Sequence, residues 1–296
     1  MKKVCKACIF FAICIAVCAV LFLLWHKSTG RITEVKNKKD DLYTCMYKGM
    51  EHEFLICDSA AGEDEGRSLV IMLHGYGSSA QGFQTMTNFD TKACEKGYVV
   101  CYVTCTVDPA NKSDAGWNSG IGDSKKDDVG FLVKLAEYLQ KEYRCSEKKT
   151  YVVGYSNGAF MVHRLAEEAG DTFSKCVSVA GMMPGNIWEK KKGRSDADFL
   201  QIYGSLDDVV PQKSNGSDKT SPHPAIEEVM EYRIDAGNLK AVEDIALSDR
   251  AKLTKYEDTD GTKKVWNVYI NGGRHSWPDE KFAGFSVNDL ILEFLE

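Results

Sequence analysis

Beyond residue 40 the chain alternates between short apolar runs and longer stretches whose apolar positions recur every three or four residues. The runs are SLVIML (68–73), GYVVCYV (97–103), KKTYVVGY (148–155), KCVSVAG (175–181), DFLQIYG (198–204) and KVWNVYING (264–272). Each is rich in β-branched or aromatic residues and too short for a helix of ordinary length, so each predicts a strand. The stretch from Ala80 to Lys96 reads as helical. In DDVGFLVKLAEYLQKEY, the residues Val129, Leu132, Val133, Ala136, Leu139 and Tyr143 fall at helical spacing, with Asp127 or Asp128 placed to cap the start. NDLILEFLE closes the chain as another helix. Near-continuous apolar strands separated by helices predict an α/β domain, with a mostly parallel sheet covered on both faces.

A different pattern occupies the first thirty residues. From Ala7 to Trp25 no residue is charged, and Lys2, Lys3 and Lys6 precede the run. That length can span a bilayer. A cleaved signal peptide has a shorter apolar core and a small-residue exit site, whereas this run ends in the bulky LLWHKSTG. The expectation is an uncleaved signal anchor over residues 1–30, in preference to a cleaved signal peptide. A polar stalk (31–44) and the α/β domain (45–296) would follow, secreted or held at the cell surface by a membrane segment.

Composition narrows the partners. Residues 31–296 carry 33 basic and 43 acidic side chains, a net charge of −10, which argues against nucleic acid. Four of the eleven cysteines lie in the apolar leader; the seven that remain are Cys45, Cys57, Cys94, Cys101, Cys105, Cys145 and Cys176. An exported chain with that many is expected to form some disulfides, the odd count leaving at least one thiol free. No C-x-x-C pair lies outside the leader and no His/Cys cluster has metal-ligand spacing. No metal, no cofactor and no protein partner is expected.

In a sheet of this kind, ligands bind outside the carboxyl ends of the strands. His74, Gly75 and Tyr76 follow the first long strand, and Ser156 the third. Asp207 and Asp208 follow DFLQIYG, and His275 follows KVWNVYING. In YVVGYSNGAF, the G-x-S-x-G spacing suits a serine exposed on a sharp strand-to-helix turn. A serine hydroxyl is a weak nucleophile that needs a base, and a histidine serves when a carboxylate fixes its tautomer. Of six histidines, only His275 follows a strand late in the chain within a glycine-rich loop. The order Ser156, Asp207, His275 is the one expected of an α/β-hydrolase. An oxyanion formed at Ser156 would be met by the backbone N–H groups of Asn157 and Tyr76. Trp277, Tyr155 and Trp117 are candidate substrate contacts, the first two for adjacency to His275 and Ser156.

Five blocks, LHGYGSSAQGF, DDVGFLVKL, VVGYSNGAFMVHRLA, YGSLDDVVP and NGGRHSWP, closely resemble the esterase family of polyhydroxybutyrate depolymerases, feruloyl esterases and acetyl xylan esterases. The resemblance runs in order from about Cys45 to the C-terminus. It implies that Ser156 is the nucleophile, Asp207 the acid and His275 the base of an acyl-enzyme mechanism. Two positions depart from the family: Tyr203 stands where histidine is frequent, and Arg274 where glycine is usual. The connection MMPGNIWEKKKGRSDA is too short and polar to build an apolar lid, which favours an ester displayed on a polymer over a lipid. With the resemblance, this implies an exported feruloyl esterase acting on plant cell-wall polysaccharide esters. Acetyl xylan esterase and polyhydroxybutyrate depolymerase are the alternatives. A serine peptidase and a catalytically inactive surface module are the more distant readings; keeping all three triad residues weighs against the second.

Overall fold

The computed structural model describes residues 30–59, 65–107, 115–191, 193, 197–210 and 223–296. The proposed leader, apart from Gly30, falls outside these residues. Among the described residues, no helix is long and apolar enough to cross a membrane.

The strands are β1 (Thr33–Lys39), β2 (Leu42–Tyr47), β3 (Met50–Cys57), β4 (Arg67–Leu73), β5 (Val99–Thr104) and β6 (Cys145–Tyr155). They continue as β7 (Lys175–Val179), β8 (Asp198–Gly204), β9 (Lys240–Ala246), β10 (Ala251–Glu257) and β11 (Lys264–Ile270). All eleven join one sheet in the order β1-β2-β3-β5-β4-β6-β7-β8-β11-β10-β9. Its centre, from β5 to β11, is parallel, and both flanks are antiparallel. The expectation of a mostly parallel sheet thus holds for the centre alone. The flanking strands escaped an apolar-run reading because the outermost are polar; β9 is exposed along nearly its whole length. Charged, exposed outer strands suit a sheet edge, where they discourage further pairing. For the same reason the segment read as a polar stalk is largely strand: β1, with its sequence TEVKNKK, pairs with β2.

Helices cover both faces. On one side, α1 (Ala80–Thr87), α2 (Phe89–Glu95) and α8 (Val287–Leu295) bury Phe83, Phe89, Leu290, Ile291 and Phe294 against the sheet. On the other, α3 (Asp128–Glu142), α4 (Asn157–Glu168) and α6 (Ile226–Gly237) bury Phe131, Leu135, Leu165 and Met230. Two single-turn helices, α5 (Gly185–Trp188) and α7 (Glu280–Ala283), sit in connections at the sheet's carboxyl edge. The continuous helix expected over Ala80–Lys96 breaks at Asn88, whose left-handed backbone (φ 47°) ends α1 and starts α2. Asp127 caps α3 by accepting from the Gly130 N–H.

The expected disulfides do not form: all seven cysteines in the described residues are free thiols. Cys45, Cys101, Cys105, Cys145 and Cys176 are buried among apolar side chains, where a thiol acts as a small hydrophobe. Burial pushes Cys45 up to about 12. The Cys94 thiol donates to the carbonyl of Cys57 at 3.3 Å.

Candidate active site

Ser156 ends β6 and opens α4 with φ 53° and ψ −120°, a conformation that costs roughly 1–3 kcal/mol for a residue with a side chain. Its flanking glycines make this turn possible. A Cβ on Gly158 would lie 2.1 Å from the Leu73 carbonyl oxygen, and one on Gly154 would lie 2.4 Å from that of Gly158. Nothing larger than glycine lets α4 start this close to β4 and β6. The turn is tied down by the Ser156 N–H, which donates to the Val179 carbonyl at 3.1 Å.

The acid and base arrive on two loops held together by another glycine pair. A Cβ on Gly204 would lie 2.3 Å from the Gly273 carbonyl, so the ends of β8 and β11 touch through their backbones. The Leu206 N–H donates to the Gly273 carbonyl at 2.7 Å, and the Gly272 N–H to Ser205 Oγ at 2.7 Å. This pairing sets Asp207 under His275. His275 Nε2 lies 2.8 Å from Ser156 Oγ, and Nδ1 lies 3.0 and 3.1 Å from the two Asp207 carboxylate oxygens. Asp207 also accepts from the N–H groups of Val209 and Val210, and its carboxylate has no exposure to solvent. A carboxylate at Nδ1 places the imidazole proton there and leaves Nε2 to accept from the serine. The neighbouring Asp208 is exposed.

The loop after β4 lies against the serine. A Cβ on Gly75 would be 3.3 Å from that of Ser156, so glycine gives the backbone its close approach. Tyr76 follows with its ring exposed, and the Asn157 amide sits in the first turn of α4. The structure therefore puts both sequence-derived donor residues beside the nucleophile.

Of the aromatic candidates, Tyr155 and Trp277 flank the site. The Tyr155 hydroxyl donates to the His275 carbonyl at 3.2 Å, and its ring meets Trp277 edge-to-face at 6.4 Å. Trp117 does not belong with them. It is buried, packs against the His74 ring, and donates from Nε1 to the His74 carbonyl at 2.9 Å. Its indole is a wall behind the loop that follows β4, turned away from solvent.

The sequence reading missed this backing. His74 Nε2 accepts from the Cys105 N–H at 3.0 Å, so its proton sits on Nδ1 and donates to the Gly75 carbonyl at 2.6 Å. Burial lowers its pKa, keeping it neutral. The Asn157 side chain accepts from the Trp117 N–H at 2.6 Å. Below, buried Lys126 donates to the carbonyls of Gly116 and Thr106 and pairs at 3.7 Å with Asp128, which takes the Asn118 N–H at 2.7 Å. His74 stood in the HGYG block and Asp128 in the helix-cap region, so the residues were visible and their roles were not. Among the described residues, no cluster of His, Cys, Asp or Glu could hold a metal ion.

A strained serine at a strand–helix elbow, a histidine bonded to it and a buried aspartate behind, all at the carboxyl edge of a helix-covered sheet, define the α/β-hydrolase class. The chain belongs to the serine hydrolase (FSH1) family, whose model matches residues 66–219 and so includes Ser156 and Asp207. It is 27% identical over 240 residues to the protein described as "Putative esterase NocK" from Nocardia uniformis subsp. tsuyamanensis, covering 74% of this chain and 67% of that one. It is 28% identical over 115 residues to feruloyl esterase B of Talaromyces stipitatus, covering 39% of this chain and 32% of the relative. The match therefore spans about a third of that esterase's length. Acetyl xylan esterase from Aspergillus awamori has a similar fold, with a TM-score of 0.60 at 12% identity, over 90% of this chain and 99% of that one.

Proposed function

We propose that the chain is an exported serine carboxylic ester hydrolase that works through an acyl-enzyme on feruloyl esters of plant cell-wall polysaccharide. The supporting observation is the 2.8 Å contact between Ser156 Oγ and His275 Nε2, with Asp207 on the far nitrogen. As Oγ attacks the ester carbonyl, Nε2 takes its proton, and Asp207 steadies the imidazolium that results. The tetrahedral oxyanion is met by the backbone N–H groups of Asn157 and Tyr76. The imidazolium then returns its proton to the leaving alcohol, and the acyl group remains on Ser156. Water, activated by the same nitrogen, releases the acid and regenerates the serine.

The choice of ester is supported by similarity to feruloyl esterase B and by the short, polar sequence of the 182–197 connection. Acetyl esters are the second reading, favoured by 26% identity over 143 residues to the bifunctional acetylxylan esterase/xylanase XynS20E of Neocallimastix patriciarum. Export is supported by the uncharged Ala7–Trp25 run, and the mature N-terminus tests whether it is cleaved. The substrate is tested by specificity constants on hydroxycinnamoyl, acetyl, hydroxyalkanoyl and long-chain glyceride esters. Feruloyl esters are expected to lead; preference for long-chain glyceride would overturn the substrate while leaving the triad standing.

A further inference from the structure

DDVGFLVKL begins with two acids that the fold treats differently. Asp127 is exposed and caps α3. Asp128 is 1% exposed and turns its carboxylate inward, onto the Asn118 N–H at 2.7 Å and the buried Lys126 ammonium at 3.7 Å. An acid that served only the helix dipole could do so from the surface, without the cost of burial. What Asp128 and Lys126 hold is the irregular segment 115–126. The Lys126 ammonium donates to the Gly116 carbonyl, and to the Thr106 carbonyl at 2.8 Å. The Asn118 side chain donates to the Lys126 carbonyl at 2.6 Å, and Arg164 donates to the Asn118 carbonyl at 2.6 Å.

The start of that segment touches both residues whose N–H groups would meet the oxyanion. On the Tyr76 side, the Gly77 N–H donates to the Ala115 carbonyl at 3.1 Å, and a Cβ on Gly116 would lie 2.7 Å from Tyr76 Cδ2. On the Asn157 side, the Trp117 N–H donates to the Asn157 side-chain oxygen at 2.6 Å. The same Cβ on Gly116 would lie 3.1 Å from that oxygen. One short piece of backbone therefore runs from one donor residue to the other. An oxyanion hole is effective only when its donors are fixed before the charge develops.

We infer that Asp128 and Lys126 are positioning residues, which set the separation of the Tyr76 and Asn157 N–H groups through residues 115–117. This role presupposes the ester hydrolysis proposed at Ser156. A buried ion pair is often no better for stability than apolar packing of the same volume, so its use here is geometric: it fixes one loop in one place. Two variants test it. Asp128→Asn keeps an acceptor for the Asn118 N–H and removes the charge that faces Lys126. Gly116→Ala presses on both donor residues and alters no charge. Each should lower kcat/KM on p-nitrophenyl acetate by about tenfold or more, chiefly through kcat. Phenylboronic acid, whose adduct with Ser156 puts an oxygen where the oxyanion would form, should bind each variant more weakly by about the same factor. A purely structural role would lower the melting temperature and leave both quantities, per folded molecule, unchanged. Either folded variant with both within a factor of about two of wild type overturns the inference, while wild-type hydrolysis upholds the esterase. Should Asp128→Asn fail to fold, Gly116→Ala decides by the same two readings. A wild type that neither cleaves the ester nor binds the boronic acid removes the esterase reading and the positioning role with it.

Discussion

His74 and His275 both follow central strands and both stand at the carboxyl edge of the sheet, yet their surroundings prepare them for opposite work. His74 is buried, and each ring nitrogen is occupied by a backbone group, one accepting from an amide and one donating to a carbonyl. His275 keeps some exposure, has a carboxylate on one nitrogen and a serine hydroxyl on the other. A histidine whose two nitrogens are spent on backbone cannot exchange a proton with a substrate; it can only hold a loop in shape. The difference teaches that a base is recognised by what its second nitrogen faces, because both residues share the same edge and the same glycine-rich setting.

The largest expected effects fall on the His275 side. His275→Ala should lower kcat by about 10⁶-fold with the melting temperature little changed, since triad members act as a unit. Asp207→Asn should cost about 10⁴-fold by presenting the wrong tautomer. Asp208→Asn should leave kcat within a factor of about two, because surface changes away from the chemistry are nearly neutral. A deeper loss for Asp208 than for Asp207 would reverse the assignment.

Acid should act through the buried histidines. Burial lowers His52 to about 4 and lowers His74 and His163 from their ordinary value. Below pH 6.5 the unfolded chain binds protons that the folded chain refuses, so stability rises with pH in that interval. The contribution is complete above pH 6.5 and is lost as pH falls from there toward 4. Each histidine adds a slope of up to about 1.4 kcal/mol per pH unit. Urea titrations at pH 7, 6 and 5 should show this decline, and His52→Phe should flatten it. A stability independent of pH across that range would contradict the neutral, buried assignment.

Smaller effects belong to the loop that His74 supports. His74→Ala removes the bonds to the Cys105 N–H and the Gly75 carbonyl in the interior, a cost of about 1–3 kcal/mol for each lost bond. Its kcat should fall roughly tenfold to a hundredfold, less than removing an oxyanion donor outright. Trp117→Phe keeps a ring but loses the bond to the His74 carbonyl, worth about 1 kcal/mol. Thermal unfolding should register that loss while KM stays unchanged. A KM raised several-fold would restore Trp117 to the substrate side.

Much of this site was legible because its chemistry is carried by short local patterns. Gly154 and Gly158 announce a close backbone crossing, and the clash distances at both positions give the reason. Asp207 and His275 could be chosen because each follows an apolar run that ends at one edge of the sheet. Trp117 was misplaced for the opposite reason. Its role depends on Asn157 and His74, which bond to it, and on Lys126, which holds the carbonyl of the preceding Gly116; no spacing in the chain encodes that meeting. The outermost strands were obscured by their own exposure: β9 and β1 carry charges where an apolar run was sought. The cysteines misled because their number suggests bridges, whereas five of the seven in the described residues fill the core.

The central claim is that Ser156 is the nucleophile that His275 activates. Treatment with a fluorophosphonate, followed by intact-mass measurement and peptide mapping, tests it in one step. The account predicts a single stoichiometric adduct on Ser156, absent from Ser156→Ala and formed far more slowly in His275→Ala. An adduct on another serine, or a folded, ester-cleaving protein that takes none, would contradict it.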